Sequence, residues 1–180
     1  MTEEAPYDVI ASYDDLEVRR YPPILIATVE GMGQNEAFGY LFRYIAGKNE
    51  GKDKIAMTVP VISNQPRGKK LAMTVPVISD ERRMSFVMPK EYKLGDLPRP
   101  LEQKVRIDEV PGRVLAVVRF RGYAREKDVE ERKKALMDAV KHHGLKPIGE
   151  AFEMYYNGPG TPGFMRRNEV AIAVEAPEPS

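Results

Sequence analysis

Cysteine and tryptophan are both absent from the 180-residue chain. Without cysteine there is no disulfide, thiolate metal site, iron–sulfur cluster or cysteine nucleophile. An excess of one charge is also lacking, because 28 Lys and Arg residues balance 27 Asp and Glu residues. A balanced chain gives no electrostatic reason to bind nucleic acid or an anionic membrane surface. We therefore expect neither nucleic acid nor a membrane as a partner.

Long apolar runs are missing too, since none approaches the roughly 18 residues of a membrane-spanning helix. The acidic start MTEEAPYDVI lacks the basic residues and the apolar stretch of a signal peptide. The expected location is therefore the cytoplasm. Apolar residues make up 42% and charged residues 31%, which is ordinary for a globular protein. The length suits a single domain spanning 1–180.

Motifs for enzyme chemistry are missing as well. The only histidines, His142 and His143, are adjacent, so no Ser-His-Asp set has a recognisable context. No glycine-rich phosphate loop occurs, and no His and Glu spacing resembles a metal site. We expect no catalytic residue and no metal ligand, and we expect the histidines to lie at the C-terminal end of a helix, where cations are favoured.

Hydrophobic patterning predicts two helices and ten strands. Asn35 is a plausible cap for the first helix, which Gly47 would end. The second helix is expected over Lys127–His143. The residues predicted to face inward are Phe38, Leu41, Phe42 and Ile45 in the first helix, and Val129, Leu136, Ala139 and Val140 in the second. The predicted strands are Tyr7–Ser12, Leu16–Tyr21, Ile24–Glu30, Ile55–Ile62, Leu71–Ile78, Met84–Met88, Val105–Glu109, Arg113–Phe120, Phe152–Tyr156 and Glu169–Glu175.

This order of elements repeats along the chain. Pro22 and Pro111 each precede an alanine, Ala27 and Ala116, by five residues inside an apolar strand, and a helix and two strands follow in both copies. The predicted fold class is α+β, with duplicated β-α-β-β units that form a distorted antiparallel β-barrel or sheet with two flanking helices. The pseudo-repeats span roughly 7–90 and 103–176.

A shorter repeat lies within the first copy. Lys54–Ser63 (KIAMTVPVIS) and Lys70–Ser79 (KLAMTVPVIS) differ at one position in ten. Each contains a proline, which suits edge strands or bulges because it donates no ladder hydrogen bond. One interpretation is a pair of edge strands. The other is that Met57 and Met73 make soft contacts to a flat apolar ligand.

Motifs along nearly the whole chain resemble the SOUL haem-binding protein family. LEVRRYPPILIATVEG, the F-x-x-L-F-x-Y-I-x-G-x-N helix end and KIAMTVPVIS resemble its first half. MSFVMPKEYKLGDLPRPL and GFMRRNEVAI resemble its second half. The resemblance implies a distorted β-barrel built from two pseudo-symmetric halves, and haem or another tetrapyrrole as the bound ligand. Family members tend to carry a tryptophan in the loop before Arg-Arg-Asn-Glu, where this chain has glycine, so we expect weak binding.

The first helix offers a place for such a ligand. Arg43 is the only charge on its predicted outer flank, which also holds Tyr40 and Tyr44. Either the tyrosines complete the packing of the domain, or they line a groove in which Arg43 or Lys48 pairs with a propionate. The resemblance implies a cleft between this helix and the late loop at 157–168. The predicted contacts are Tyr40, Arg43, Tyr44, Lys48, Met57, Phe164, Met165 and Arg166.

Two details of this site stay open at this point. Tyr44, Met57, Met73 and Met165 are alternatives for an axial ligand, but none has a distinctive pattern. The resemblance implies that apolar contact and propionate pairing suffice. The late loop has a second interpretation, in which an internal ion pair between Arg167 and Glu169 holds it in place.

The first functional hypothesis is a non-catalytic haem carrier or buffer, whose partner is a hydrophobic planar small molecule. The second is a small-molecule sensor, because the SOUL fold is similar to effector-binding domains of multidrug-responsive regulators that bind flat cations over aromatic rings and a buried acid. Glu153, beside Tyr155 and Tyr156, would be that acid. The third is a protein-interaction module that uses the same groove.

Overall fold

The computed structural model describes residues 3–63, 83–157 and 161–176. These ranges contain two α-helices and eleven mostly antiparallel strands, so the predicted α+β class is confirmed. Two short 3-10 turns, Leu94–Asp96 and Gly163–Met165, also occur. In chain order the elements are β1 (Glu3–Glu4), β2 (Asp8–Ser12), β3 (Glu17–Tyr21), β4 (Ile24–Glu30), α1 (Gln34–Ile45), β5 (Thr58–Val59), β6 (Val61–Ser63), β7 (Arg83–Val87), β8 (Arg106–Val110), β9 (Arg113–Arg121), α2 (Glu126–His142), β10 (Pro147–Tyr155) and β11 (Arg167–Val174).

The chain divides into two compact units that interleave in sequence. The α1 unit contains Met1–Ala5 and Ile24–Val110, and the α2 unit contains Pro6–Pro23 and Pro111–Ser180. The N-terminal hairpin β2–β3 therefore groups with the strands of the second half, because β3 pairs with β9. Strand β8 groups with the first half, because it pairs with β4. Whether both units act as one domain stays a prediction.

In the α1 unit the antiparallel strand order is β6-β7-β4-β8. Strand β4 is central, since Ile26 lies opposite Val87 on one side and Asp108 on the other. The short strand β1 pairs in parallel with β5. Helix α1 packs on β4 and β7. A cluster of Ala5, Ile26 and Val87 forms one buried part of this unit.

In the α2 unit the antiparallel order is β2-β3-β9-β11-β10. Strands β9 and β11 pair without a shift in register, from Arg167 opposite Arg121 to Val174 opposite Val114. Helix α2 packs against β11, β9 and β10. The four inward positions predicted for this helix are confirmed as part of the buried core: Val129, Leu136, Ala139 and Val140.

Several predicted element boundaries need correction. Strand β4 matches its prediction at both ends, and Gly47 follows the end of α1 with a φ of 118°. Helix α1, however, has Gly33 as its N-cap residue, so the prediction of Asn35 as the cap was wrong. The strand predicted over Ile55–Ile62 is two short strands separated by a proline, which lacks the N–H that a continuous ladder needs. The predicted strand Leu71–Ile78, with the second decapeptide copy and Met73, lies outside the described residues.

The predicted inward face of helix α1 was half wrong. Leu41 and Ile45 are buried, but Phe38 and Phe42 are 40% and 52% exposed. Tyr44, which was expected on the outer flank, is only 1% exposed. Both faces of this helix contain large apolar side chains, so the 3.6-residue period alone fits more than one rotation about the axis. The residues that face inward are Ala37, Leu41, Tyr44 and Ile45.

Candidate functional site

Two exposed phenylalanines form an apolar patch on helix α1. The ring centroids of Phe38 and Phe42 are 6.3 Å apart and the rings are nearly parallel, with 14° between their planes. The Phe38 ring also packs at a steep angle against the buried Phe86 ring, with the ring centroids 5.2 Å apart. The core therefore anchors one ring of the pair while both rings remain accessible to solvent. An aromatic pair of this kind provides a surface for another apolar group.

Gly39 lies between Phe42 and Arg43 on the exposed side of the helix, because each residue rotates the chain by about 100°. A Cβ atom on Gly39 would lie 3.2 Å from a guanidinium nitrogen of Arg43. The arginine side chain thus folds back over bare helix backbone. The missing side chain at Gly39 therefore lets the Arg43 guanidinium lie close to the helix, directly beside the phenylalanines.

A cationic cluster borders this aromatic patch. Arg43 donates two hydrogen bonds to Glu102, with Nε–Oε1 and Nη2–Oε2 distances of 3.0 and 3.2 Å. Lys48 Nζ lies 3.3 Å from the same Oε1 atom. The hydrogen bond from Arg43 lowers the pKa of Glu102, which therefore stays ionised at neutral pH. One carboxylate faces two cations, so a positive charge remains available to an anionic group.

The two tyrosines of α1 have different environments. Tyr40 is half-buried, and the Arg43 guanidinium carbon lies 4.6 Å from its ring centroid. Tyr44 is buried and donates its hydroxyl proton to the Pro98 carbonyl at 2.7 Å. Burial raises the pKa of Tyr44 to about 12, so it is a neutral hydrogen-bond donor. Of the two interpretations for Tyr44, completion of the core packing is the one that the structure supports.

Asn49 fixes the end of this helix, and the sequence reasoning did not single it out. Its amide nitrogen donates to the carbonyl of Tyr44 at 3.0 Å and to that of Asp53 at 2.9 Å. Its side-chain oxygen accepts the Asp53 backbone N–H at 3.0 Å. The side chain is fully buried and ties the loop back to α1, which holds the segment containing Lys48. The sequence signal that pointed to Asn49 was its position as the last residue of the F-x-x-L-F-x-Y-I-x-G-x-N motif.

The remaining predicted contacts fall in both units. Met57 is half-buried directly before β5 in the α1 unit. In the α2 unit Phe164 and Met165 are 75% and 58% exposed, and they lie in a 3-10 turn. The Arg166 guanidinium carbon lies 4.7 Å from the ring centroid of Tyr123. The cleft expected between helix α1 and this late loop stays a prediction.

The α2 unit contains a buried network of charges around Glu169. Arg19 binds this carboxylate through two hydrogen bonds of 2.8 and 2.7 Å, and both side chains are essentially inaccessible to solvent. Tyr156 donates its hydroxyl proton to Glu169 at 2.5 Å. The predicted pair between Arg167 and Glu169 is confirmed at 3.3 Å, and Arg119 approaches at 3.2 Å.

The electrostatics of this network are those of a structural ion pair. Burial alone would raise the pKa of Glu169, but the hydrogen bonds from Arg19 and Tyr156 outweigh burial and hold it below its usual value. Burial, together with the nearby Glu169 charge, raises the pKa of Tyr156. Glu169 is therefore ionised and Tyr156 neutral at physiological pH. Both carboxylate oxygens already accept hydrogen bonds, which leaves this acid poorly suited to proton transfer.

The histidines lie at the C-terminal end of α2, as predicted. His143 Nε2 is 2.8 Å from an Asp15 oxygen, and its ring stacks on Tyr13 at 3.8 Å. The hydrogen bond with His143 lowers the pKa of Asp15. Among the described residues, no group of three or more His, Asp or Glu side chains is arranged to hold a metal ion. No helix within the described ranges has both the length and the apolar character to cross a bilayer.

Glu153, the acid of the sensor hypothesis, is 1% exposed in β10. It lies opposite Val170 in the ladder with β11, and Val170 belongs to the core that packs against α2. Its side chain is therefore on the helix-covered face of this unit rather than on the face that contains Glu169, because neighbouring residues of a strand alternate between faces.

Comparison with known proteins decides the family. Residues 2–173 match the family described as SOUL heme-binding protein. The chain belongs to this family. Heme-binding protein 2 of Homo sapiens is 30% identical over 185 residues, which cover 98% of this SOUL chain and 86% of the human protein. Heme-binding protein 2 of Mus musculus is 28% identical over 186 residues, with the same coverage.

Solved structures share the fold of this SOUL protein at low sequence identity. The C-terminal domain of EcmrR superposes with a TM-score of 0.58 at 12% identity, covering 94% of this chain and 98% of that domain. A hydrolase from Listeria innocua gives a TM-score of 0.61 at 12% identity, covering 92% and 94% of the two chains. The superpositions indicate a common architecture. At identities this low, the activity of those proteins cannot be assigned to this one.

Proposed function

We propose that this SOUL-family protein binds haem or a related tetrapyrrole, without transforming it, on the exposed face of helix α1. The observation that carries the proposal is the solvent-exposed pair of Phe38 and Phe42 beside the Arg43 and Lys48 cations. Family membership and the two heme-binding relatives support the ligand class. The exposure of this surface to solvent supports a role as carrier or buffer.

In this arrangement the macrocycle packs against Phe42 and Phe38, and its edge reaches the Arg43 guanidinium, which lies over Gly39. Its propionates bind Arg43 and Lys48, which share the carboxylate of Glu102 in the free protein. Tyr40 contributes at the edge through its stacked contact with Arg43. Met57, Phe164, Met165 and Arg166 remain proposed contacts of the same ligand. Tyr44 supports the site from within the core.

Binding proceeds without an axial ligand from the protein. The only histidines of the chain belong to the α2 unit, and Tyr44 keeps its proton and donates it to a carbonyl. A neutral phenol engaged in this way is a poor ligand for ferric iron, which prefers the phenolate form of tyrosine. We therefore expect replacement of both histidines by alanine to leave the Soret position of the complex unchanged.

Titration with hemin tests the proposal. Full burial of a phenylalanine side chain contributes roughly 1.5–3 kcal/mol, and Phe42 is already about half-buried, so Phe42→Ser should weaken hemin affinity by roughly four- to fifteenfold. Val9→Ser is the matched control, because Val9 is a similarly exposed apolar residue, at 51%, in the α2 unit. Absence of saturable one-to-one binding by the unmodified protein at micromolar concentration would reject haem as the ligand. Equal affinities of both variants would place the site elsewhere.

A second candidate function is the binding of flat cations, and the burial of Glu153 favours it. A buried carboxylate without a metal attracts a delocalised organic cation when the surrounding core opens to admit it. Titration with rhodamine 6G distinguishes the two functions. Saturable dye binding that Glu153→Gln abolishes, with no hemin binding, would replace the haem proposal by this one.

A further inference from the structure

A groove of about 790 Å3 lies in the α2 unit, outside the α1 surface described above. This volume falls within the range of about 300–1,000 Å3 that is common for small-molecule sites. The groove lies where β3 ends and β9 begins. The residues that give it its chemistry are Tyr7, Arg20, Tyr21, Pro22, Arg113 and Ile148.

Arg113 is the most unusual of these residues. It is half-buried at the start of β9, opposite Tyr21 in the ladder, and its guanidinium carbon lies 4.9 Å from the Phe152 ring centroid. Within the ranges that the structure describes, no carboxylate forms an ion pair with Arg113. Burial consequently lowers the pKa of Arg113. A partly desolvated cation without an anionic partner is costly in free energy.

Arg19 shows how the same unit treats a buried arginine with a structural role. Its guanidinium binds both Glu169 oxygens and Glu17, so its charge is compensated. The two acids of the groove lining, Asp8 and Glu175, do not compensate the charge of Arg113 in this way. Asp8 and Glu175 are both exposed, and Glu175 lies 4.0 Å from Lys146. The guanidinium of Arg113 therefore has capacity for an anion from outside the chain.

Much of the groove wall is apolar, formed by tyrosine and proline side chains. The rings of Tyr7 and Tyr21 contact each other with centroids 5.1 Å apart. Gly112 forms part of the lining, and a Cβ atom there would lie only 3.3 Å from the Tyr21 carbonyl oxygen and 3.4 Å from Pro23 Cδ. The chain thus passes close to the proline segment with no side chain between them. Such walls suit a ring-containing ligand because little side-chain entropy is lost on contact.

We propose that this groove binds an organic anion, in which a carboxylate or sulfonate on an aromatic body pairs with Arg113 while the body packs against Tyr7, Tyr21 and Pro22. Arg20 provides a second, exposed cation at the groove. The groove shares no lining residue with the surface proposed on helix α1.

The test uses the full chain and 8-anilinonaphthalene-1-sulfonate as a fluorescent probe. Charge-assisted hydrogen bonds contribute enough that Arg113→Gln should weaken probe affinity about tenfold. Arg121→Gln is the matched control, because Arg121 is exposed on the same strand and outside the groove, and it should bind the probe like the unmodified protein. N-phenyl-1-naphthylamine, which has a similar aromatic body but no acid group, should bind Arg113→Gln and the unmodified protein equally.

Thermal unfolding and hemin titration separate this proposal from other roles of the same residues. Removal of an unpaired, partly desolvated charge should leave Tm unchanged or raise it. A lower Tm of Arg113→Gln with unchanged probe affinity would assign the arginine a structural role and overturn the proposal. Phe42→Ser should retain probe binding while it weakens hemin. Loss of hemin binding in Arg113→Gln but not in Phe42→Ser would show a single site and also overturn it.

Discussion

Helices α1 and α2 have corresponding positions in the two units, but their outer surfaces differ. Each follows a long apolar strand and packs on antiparallel strands of its own unit. The 17-residue helix α2 presents charged side chains outward, as is usual for a solvated helix. The 12-residue helix α1 instead presents Phe38, Gly39 and Phe42. The same local framework thus carries a charged outer surface in one unit and an exposed aromatic surface in the other.

The two units also differ in the charge of their buried polar groups. In the α1 unit Ser85 donates to the Thr28 hydroxyl at 2.8 Å, and Thr28 donates to the Met84 carbonyl at 3.1 Å, so this buried pair is uncharged. In the α2 unit the buried polar pair is Arg19 and Glu169, and both of its members are charged. A buried ion pair is costly to break, because the remaining partner keeps its charge in a poorly solvated site. The α2 unit therefore contains the element most sensitive to substitution and to acid.

The largest expected effect is the loss of this ion pair. Glu169→Gln leaves the Arg19 guanidinium buried without its main carboxylate, so the free energy of unfolding should fall by about 3–5 kcal/mol. Urea unfolding monitored by circular dichroism measures this change. Arg106→Gln, which removes an exposed pair with Glu30, is the control and should cost less than about 1 kcal/mol. Similar losses in both variants would show that burial of the pair contributes little.

The corrected orientation of helix α1 predicts the next effect. Leu41→Ala removes a fully buried side chain and should lower the free energy of unfolding by about 2–5 kcal/mol. Phe42→Ala removes a side chain that is half in solvent and should cost below about 1 kcal/mol, although it should weaken hemin binding. Urea unfolding and hemin titration on the same preparations give both quantities. If Phe42→Ala were the more destabilising change, the helix would be rotated as the sequence pattern first indicated.

Acidification should reveal the same asymmetry between the units. The pKa of Glu169 in the folded protein lies below its usual value of 4.5, so its stabilising contribution is present at neutral pH and is lost as pH falls through the folded pKa. We expect the free energy of unfolding to decline below about pH 4.5. Glu169→Gln starts from lower stability and should show a shallower decline, since the group that titrates is gone. Parallel curves for the two proteins would assign the acid sensitivity to other carboxylates.

Periodicity and composition predicted much of this architecture but only part of the site. The bounds of β4 follow from an uninterrupted apolar run, and the buried face of α2 follows from one apolar stripe on a charged helix. Helix α1 has apolar residues on two sides, and hydrophobicity does not distinguish a buried Tyr44 from an exposed Phe42. The partner of Arg19 is 150 residues away in the chain, so one sequence contains no local signal for that pair. The proposal for Arg113 depends on its lack of an ion-pairing carboxylate among the described residues, which only the packed chain shows.

The smallest expected effects concern the cations beside the aromatic patch, and they have opposite signs. Arg43→Gln removes one of the two cations that share Glu102, so hemin affinity should fall about two- to fivefold, as for an exposed ion pair. Glu102→Gln frees Arg43 and Lys48 from their carboxylate, and hemin affinity should rise by a similar factor. Lys133→Gln on α2 is the charge-matched control and should have no effect.

Added salt should weaken hemin binding to the unmodified protein more than to Arg43→Gln, because screening acts on the charge that the variant lacks. A fall in affinity for Glu102→Gln would instead mean that the acid holds Arg43 in its binding position, and that the orientation of this cation matters more than its free charge.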